Sequence, residues 1–218
     1  MVNKEKLGEP IGVGGEKKVY QDPKNPDRVV GIFREHIEET PNQIKARFYL
    51  TKILHLLFPK NIPDMHWAGS EPNAYQADRK EHDERHATLR DYVLSGEGDK
   101  YIGMSVEVKK DLERKADDAF QEHIKDKDVR SFVDRLDELG IRSTDMASVN
   151  FSKDPGGNVL YLDTFYVWKR NMYDRLQLFC DFDKLENAFA QLPEADRAKA
   201  KNYLSRLKKL YEEESNSK

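Results

Sequence analysis

The chain has 218 residues, of which 35% are charged and 38% are hydrophobic, and its formal net charge is -3. This charge provides no overall basic field of the kind that binds nucleic acids, and no apolar run approaches the ~20 residues of a membrane-spanning helix. The single cysteine, Cys180, excludes an intramolecular disulfide and is typical of a reducing compartment. We therefore expect a cytoplasmic protein without nucleic-acid or membrane partners, long enough for one large domain or two small lobes.

A glycine-containing hairpin is predicted near the start of the chain. Gly12, Gly14 and Gly15 lie between two β-prone stretches, and the turn-forming run 22–27 precedes a further strand at 28–34. Glycines allow backbone N–H groups to approach phosphate oxygens closely, because no side chain intervenes. Taken alone, such a pattern more often indicates an ordinary β-hairpin whose turn contains glycine. Its position ahead of the motifs described below favours phosphate binding.

A helix is predicted from residue 42 to residue 58. Ile44, Phe48 and Lys52 follow one another at intervals of four residues, which places Lys52 on a largely apolar, inward face. Short strands are expected within 61–69 and 73–77. A largely helical and highly charged region is expected from residue 106 to residue 139, where Gly140 ends it as a C-cap. The final helix is expected at 193–213.

The stretch from residue 140 to residue 165 is predicted to be a loop followed by a β-hairpin. Short strands at 149–152 and 159–162 flank the run 154–158, which has the composition of a turn.

Three polar residues of this stretch are expected to lie close together. A hairpin brings the start of one strand beside the end of the other, so Asn150 and Asp163 should meet at its open end, with Asp145 on the preceding loop. Their oxygens suit Mg²⁺, and one acid remains free to act as a base. The alternative is a polar hairpin in which Asp145 and Asn150 cap turns and Asp163 caps a following helix.

The pattern Asp145-x-x-x-x-Asn150, a turn, and an apolar strand ending at Asp163 resembles the catalytic loop and metal-binding Asp of the protein-kinase-like superfamily. The resemblance implies that Asp145 orients or deprotonates an acceptor hydroxyl. It also implies that Asn150 and Asp163 hold the Mg²⁺ ions that bridge the phosphates of ATP. The spacing is kept, but of the family's His-Arg-Asp and Asp-Phe-Gly triplets only the aspartates are present.

The same resemblance assigns the early hairpin to the family's glycine-rich loop. Gly12, Gly14 and Val19 correspond to that loop's pattern, and Gly15 and Lys17 lie within it. These five residues are accordingly expected to bind ATP.

The sequence departs from the family at its phosphate-binding lysine. Gly31 stands where the family has a strand Lys, and the helix at 42–58 contains no acidic residue to pair with one. Losing both members of that ion pair avoids leaving one charge buried without a partner. The candidates for a replacement cation are, in order, Lys17, Lys52 and Arg34; with-no-lysine kinases similarly carry their lysine in the glycine loop. Each is also compatible with an ordinary solvated cation.

The implied fold is α+β and bilobal. Residues 1–76 would form a small β-rich lobe with one helix, and residues 77–218 a mainly helical lobe with the catalytic loop and the metal-binding hairpin. The segment 75–79 would be the hinge that binds adenine. Only some fifty residues follow Phe165 and no Ala-Pro-Glu motif is present, so the chain resembles the compact atypical or small-molecule kinases.

Two functions follow from the resemblance. The first is an ATP- and Mg²⁺-dependent phosphotransferase that moves the γ-phosphate to a hydroxyl of a protein or small molecule, with Lys17 or Lys52 assisting Asp145. The second is a pseudokinase that acts as a nucleotide-binding or protein-interaction module. The missing Lys–Glu pair favours the second, whereas the three retained polar residues favour the first, because carboxylates clustered without metal repel one another.

Overall fold

The computed structural model of the chain describes residues 7–13, 16–33, 39–67, 74–80, 104–111, 114, 118, 126–142, 150–170 and 176–217. Within these ranges an antiparallel sheet is combined with helices, so the predicted α+β class is confirmed. No helix in these ranges is both long enough and apolar enough to cross a membrane.

A five-stranded antiparallel sheet is formed by strands from the first half of the chain. In spatial order its strands are β1 (Gly12–Val13), β2 (Lys17–Gln21), β3 (Arg28–Phe33), β5 (Ala74–Asp78) and β4 (Met65–Trp67).

The connection from β2 to β3 is the turn predicted at 22–27. The N–H of Asp22 donates to the carbonyl oxygen of Arg28 at 3.1 Å, and the Asp22 side chain accepts from the N–H of Lys24 at 2.9 Å. The turn is therefore closed by both main-chain and side-chain bonds, as Asp-Pro turn chemistry predicts.

Helix α1 (Pro41–Leu57) matches the helix predicted at 42–58. It begins with a capping box, in which the N–H of Gln43 donates to Thr40 Oγ1 at 3.2 Å and the N–H of Thr40 donates to Gln43 Oε1 at 2.7 Å. Proline suits the first position of a helix, where its missing N–H has no intrahelical partner to lose.

Most of the remaining described elements belong to the second half of the chain. They are α2 (Lys127–Glu138), β6 (Phe151–Lys153), β7 (Val159–Tyr161), β8 (Trp168–Arg170), β9 (Leu176–Leu178), α3 (Phe182–Ala188) and α4 (Glu194–Asn216). The left-handed Gly140, at φ 74°, follows α2 as the predicted C-cap. The final helix is also confirmed.

The main hydrophobic core joins α1 to this second half. Leu54 of α1 belongs to the same buried cluster as Phe151 of β6 and Leu204 of α4. The predicted segments 1–76 and 77–218 therefore share one core through α1, and the boundary between them stays a prediction.

The two faces of the sheet contact different parts of the molecule. Residues directly opposite one another on antiparallel strands point to the same side, so Val19, Gly31 and Tyr75 share one face. Val30 lies on the other face, in a small cluster with Leu7. The first face is the one that lines the cavity described below.

Gly31 is explained by Tyr75 on the neighbouring strand. A Cβ atom added at Gly31 would lie 2.3 Å from Tyr75 Cζ, far inside van der Waals contact. The Tyr75 ring is 7% exposed and packs against Phe33, with ring centroids 5.9 Å apart. The position at which the resemblance expects a lysine is thus a glycine because Tyr75 fills the space that a side chain would need.

We predict that Gly31→Ala lowers the free energy of unfolding by about 1–3 kcal/mol, because it overpacks the site against Tyr75. Gly12→Ala is the matched control on the same face, since its new Cβ would be 3.6 Å from Val19 Cβ, an ordinary contact, and it should change stability by no more than about 0.5 kcal/mol. Urea unfolding measures both variants. Equal effects would contradict the packing account.

Candidate functional site

A cavity of about 630 Å³ lies between the sheet and the end of strand β7. Gly12 and Val19 of the early hairpin line it on one side, and Asp163, which follows β7, lines it on another. Residues 77–80, at the end of the predicted hinge strand and just beyond it, line its edge. Three of the predicted site residues are thus brought to one cavity.

The β6–β7 hairpin places Asp163 in this cavity. The strands pair with Phe151 opposite Tyr161, and the predicted turn between them contains the left-handed Gly157, at φ 78°. At the open end the N–H of Leu162 donates to the carbonyl oxygen of Asn150 at 2.9 Å. The predicted hairpin is confirmed, and the backbones of Asn150 and Leu162, the residue before Asp163, are joined directly.

The residues after Asp163 exclude one alternative. Residues 164–167 are outside any helix or strand, and strand β8 follows them. Asp163 therefore caps no helix, and the N–H of Thr164 donates to its Oδ1 at 2.7 Å. The interpretation of Asp163 as a helix cap is wrong.

Lys17 and Asp163 form a part-buried ion pair, in which Asp163 is the member that lines the cavity. The ammonium of Lys17, the first residue of β2, donates to Oδ1 of Asp163. The two side chains are 10% and 18% exposed. The Lys17 Nζ atom also lies 5.6 Å from the centroid of the Tyr75 ring. Of the two candidate cations that the structure describes, Lys17 and Lys52, it is Lys17 that contacts the predicted metal-binding aspartate.

The charges of this pair outweigh the effect of burial on both groups. Burial alone would raise the pKa of Asp163, but the positive charges of Lys17 and Arg47 lower that pKa from 3.8 to about 2. Burial alone would likewise lower the pKa of Lys17, yet the Asp163 carboxylate raises it above its ordinary value. Both groups are therefore ionised at neutral pH.

Arg47 of α1 is the site residue that the sequence analysis missed. It is 2% exposed, and its guanidinium pairs with Glu16 at 2.8 Å and Glu39 at 2.6 Å. Its Nε donates to Thr164 Oγ1 at 2.8 Å, and its Nη2 lies 3.8 Å from Asp163 Oδ1.

One sequence signal points to Arg47. Gln43, Arg47 and Thr51 recur at intervals of four residues, so they form a polar row on a helix, and all three are buried. The absence of an acidic residue on α1 gave no indication of this row, because the helix contributes a cation where the family that the chain resembles has an anion.

Lys52 lies elsewhere. Its Nζ is 2.5 Å from Asp64 Oδ1. Burial alone would raise the pKa of Asp64, but this hydrogen bond and the neighbouring positive charge of Lys52 together contribute to lowering it. The predicted inward direction of Lys52 is confirmed by its 15% exposure, but the carboxylate that it reaches is Asp64.

Several predicted residues fall outside the described part of the chain. These are Asp145, Gly14, Gly15 and Arg34. Asn150 is described and is 6% exposed. Among the described residues, no three or more His, Cys, Asp or Glu side chains form a group that could hold a metal ion. The predicted pair of Asn150 and Asp163 contains one carboxylate and one amide, and Mg²⁺ commonly completes such a set with phosphate oxygens and water.

Comparison with protein-family models gives no match for this chain, and comparison with curated proteins gives none either.

We predict that acid weakens the folded state through Asp163. A carboxylate whose pKa is lowered by folding contributes its full stabilisation above its unfolded value, here 3.8, and loses that contribution as the pH falls through its folded value of about 2. The contribution of ionised Asp163 is about 2 kcal/mol. The difference in unfolding free energy between wild type and Asp163→Asn should shrink by this amount between about pH 5 and pH 2, as measured by urea unfolding. A difference that is independent of pH would contradict the pairing.

Proposed function

We propose that the protein is an ATP-dependent phosphotransferase of the protein-kinase-like type, with its nucleotide in the cavity between the sheet and strand β7. The observation that carries the proposal is the buried contact between Lys17, from the glycine-containing hairpin, and Asp163, at the end of the β6–β7 hairpin. The carboxylate lines the cavity, and the ammonium is in contact with it, so both charges lie at the polar end of the cavity. This is the arrangement that phosphate and Mg²⁺ require together.

The rest of the cavity suits a nucleotide. A volume of about 630 Å³ falls within the ~300–1,000 Å³ of small-molecule sites. Val29, Met65 and Ala77 give it an apolar wall against which a purine ring would pack. The neighbouring residues 78–80 line the rim, where main-chain groups would bind the base.

The proposed roles at the polar end follow from its atoms. Lys17 binds phosphate oxygens when it exchanges Asp163 for the nucleotide, and the main chain at Gly12 approaches them without an obstructing side chain. Lys17, Arg47 and Thr164 all contact the same oxygen of Asp163, Oδ1. The second oxygen, Oδ2, takes no part in these three contacts and is the proposed Mg²⁺ ligand, together with the Asn150 side chain. A bound Mg²⁺ would neutralise charge on the phosphates.

The acceptor side of the proposal depends on Asp145. That residue would orient the attacking hydroxyl of a protein or small molecule, and Lys17 would hold the transferred phosphoryl group in line with it. We place the reaction in the cytoplasm, where thiols such as that of the buried Cys180 stay reduced.

The bilobal arrangement is part of this proposal. The five-stranded sheet would be the core of the small lobe, and α2, α3 and α4 would belong to the large one. Support comes from the position of the cavity, which opens between the sheet and the β6–β7 hairpin. Packing of α1 on α4 would make the two lobes less independent than in larger kinases.

We predict that the wild type binds ATP in a Mg²⁺-dependent manner and that Lys17→Met weakens this binding at least about tenfold, because a charge-assisted contact to phosphate is lost. Asp163→Asn should remove the dependence on Mg²⁺. Isothermal calorimetry with and without Mg²⁺ measures both effects.

Lys18→Met is the matched control. Lys18 is the next residue of β2 and pairs with Ile32, on the sheet face opposite the cavity, so its loss should leave the affinity within about twofold. Failure of the wild type to bind ATP would contradict the proposal. Binding without transfer or hydrolysis above the level of Asp145→Ala would favour the nucleotide-binding module instead.

A further inference from the structure

Arg47 connects the immediate chain neighbours of both members of the Lys17–Asp163 pair. Its Nη2 is 2.8 Å from Glu16 Oε2, and Glu16 precedes Lys17 in the chain. Its Nε donates to the hydroxyl of Thr164 at 2.8 Å, and Thr164 follows Asp163. One buried guanidinium therefore fixes the segment that carries the cation and the segment that carries the carboxylate.

Other contacts make this guanidinium rigid. Its Cζ lies 5.1 Å from the centroid of Phe33 and 4.2 Å from that of Tyr166, distances at which a cation is attracted to an aromatic face. Glu39 binds Nη1 at 2.6 Å. The planar fork of arginine can serve several such partners at once, whereas a lysine ammonium in this place could not reproduce the geometry.

The charges around Arg47 explain why it stays in place. Lys17 and Arg47 supply two positive charges, and Glu16, Glu39 and Asp163 supply three carboxylates. A guanidinium does not deprotonate in proteins, so a buried one must be paired. Burial raises the pKa of Glu39 despite the opposing effect of Arg47. The contacts of Arg47 with Glu16 and Thr164 are therefore the ones on which the following proposal is based.

We propose that Arg47 is a positioning residue, which holds the Lys17 ammonium and the Asp163 carboxylate in register for a Mg²⁺–triphosphate by binding Glu16 and Thr164. The proposal rests on the proposed function. In the family that the chain resembles, a cation on a strand pairs with a carboxylate on a helix. We assign the same structural role here to Arg47, on a helix, and Glu16, in a loop. The polarity of the pair is reversed, and Arg47 acts through its neighbours without needing to touch the nucleotide.

Glu16 and Glu39 give a matched pair of variants for the test. Each places one carboxylate oxygen on the Arg47 guanidinium, but only Glu16 belongs to the segment that carries Lys17. Glu39 precedes α1, and its side chain is 9% exposed against 29% for Glu16. Truncation of the more buried Glu39 therefore tests whether a general loss of support for Arg47 is sufficient to weaken binding.

The experiment is calorimetric titration of Mg²⁺–ATP into wild type, Glu16→Ala and Glu39→Ala, with the melting temperature of each variant measured in parallel. We expect Glu16→Ala to weaken binding of Mg²⁺–ATP at least about tenfold. Glu39→Ala should change the affinity by no more than about twofold, even though its melting temperature should be no higher than that of Glu16→Ala. The double variant Glu16→Ala/Lys17→Met should bind no more weakly than Lys17→Met, because Glu16 acts through Lys17.

Three results would overturn the inference, and they differ in what they leave standing. Equal weakening in both glutamate variants would make Arg47 a purely structural residue. Additive losses in the double variant would show that Glu16 acts independently of Lys17. In either case, binding that is tight in the wild type and weakened by Lys17→Met keeps the proposed function. No binding by the wild type removes that function and this inference with it.

Discussion

The buried ion pair between Lys17 and Asp163 is the constraint on which the cleft depends. Removing ions from water costs several kcal/mol for each of them, and the cost is offset only when the partners have good geometry and further hydrogen bonds. Here the N–H of Thr164 supplies a hydrogen bond at Asp163, and the Arg47 guanidinium adds a second positive charge 3.8 Å from the same oxygen. The Tyr75 ring faces the ammonium. A change that removes one member leaves the other charge buried, so the positions of the residues in this cluster are mutually dependent.

Apolar packing holds these charges in place. Arg47 comes from a helix whose buried apolar residues belong to the main core with α4. The β6–β7 hairpin is fixed to the segment after α1, because the N–H of Tyr161 donates to the carbonyl oxygen of Asn61 and the Asn61 side chain donates to that of Val159, both at 2.8 Å. Charges that are far apart in the sequence are therefore presented by elements that cannot move independently.

This combination favours an enzyme or a nucleotide-binding module over a purely structural domain. A core stabilised only for folding would gain little from a Lys–Asp pair and an arginine with two further carboxylates beside a cavity, since replacing buried ion pairs by apolar residues is often neutral or stabilising. Unusual arrangements of titratable groups in a cleft are characteristic of functional sites. The glycine at position 31 fits the same account, because the Tyr75 ring that excludes a strand lysine also faces the Lys17 ammonium that we propose takes over its function.

Local patterns in the sequence predicted the parts that depend on neighbouring residues. The turn around Gly157 needs a residue that tolerates a positive φ, and the run 154–158 supplies it. The extent of α1 followed from its apolar spacing, which also placed Lys52 inward.

The partners of the long side chains could not be predicted in the same way. Arg47 contacts Glu16, which lies 31 positions earlier in the chain, and Thr164, which lies 117 positions later. No periodicity within α1 indicates which carboxylates will reach it. The inward direction of Lys52 makes it a possible phosphate ligand in the sequence, but in the structure its ammonium binds the Asp64 carboxylate. The glycine at position 31 likewise depends on a ring from strand β5, so its cause became visible only when the two strands were paired.

A crystal structure with Mg²⁺ and a non-hydrolysable ATP analogue tests the central claim most directly. We expect the phosphates to lie between the Gly12–Val19 hairpin and Asp163, with the Lys17 ammonium on a phosphate oxygen and Mg²⁺ on the Asp163 carboxylate. A nucleotide bound elsewhere, or one that leaves Lys17 and Asp163 paired and without contact to it, would contradict the account.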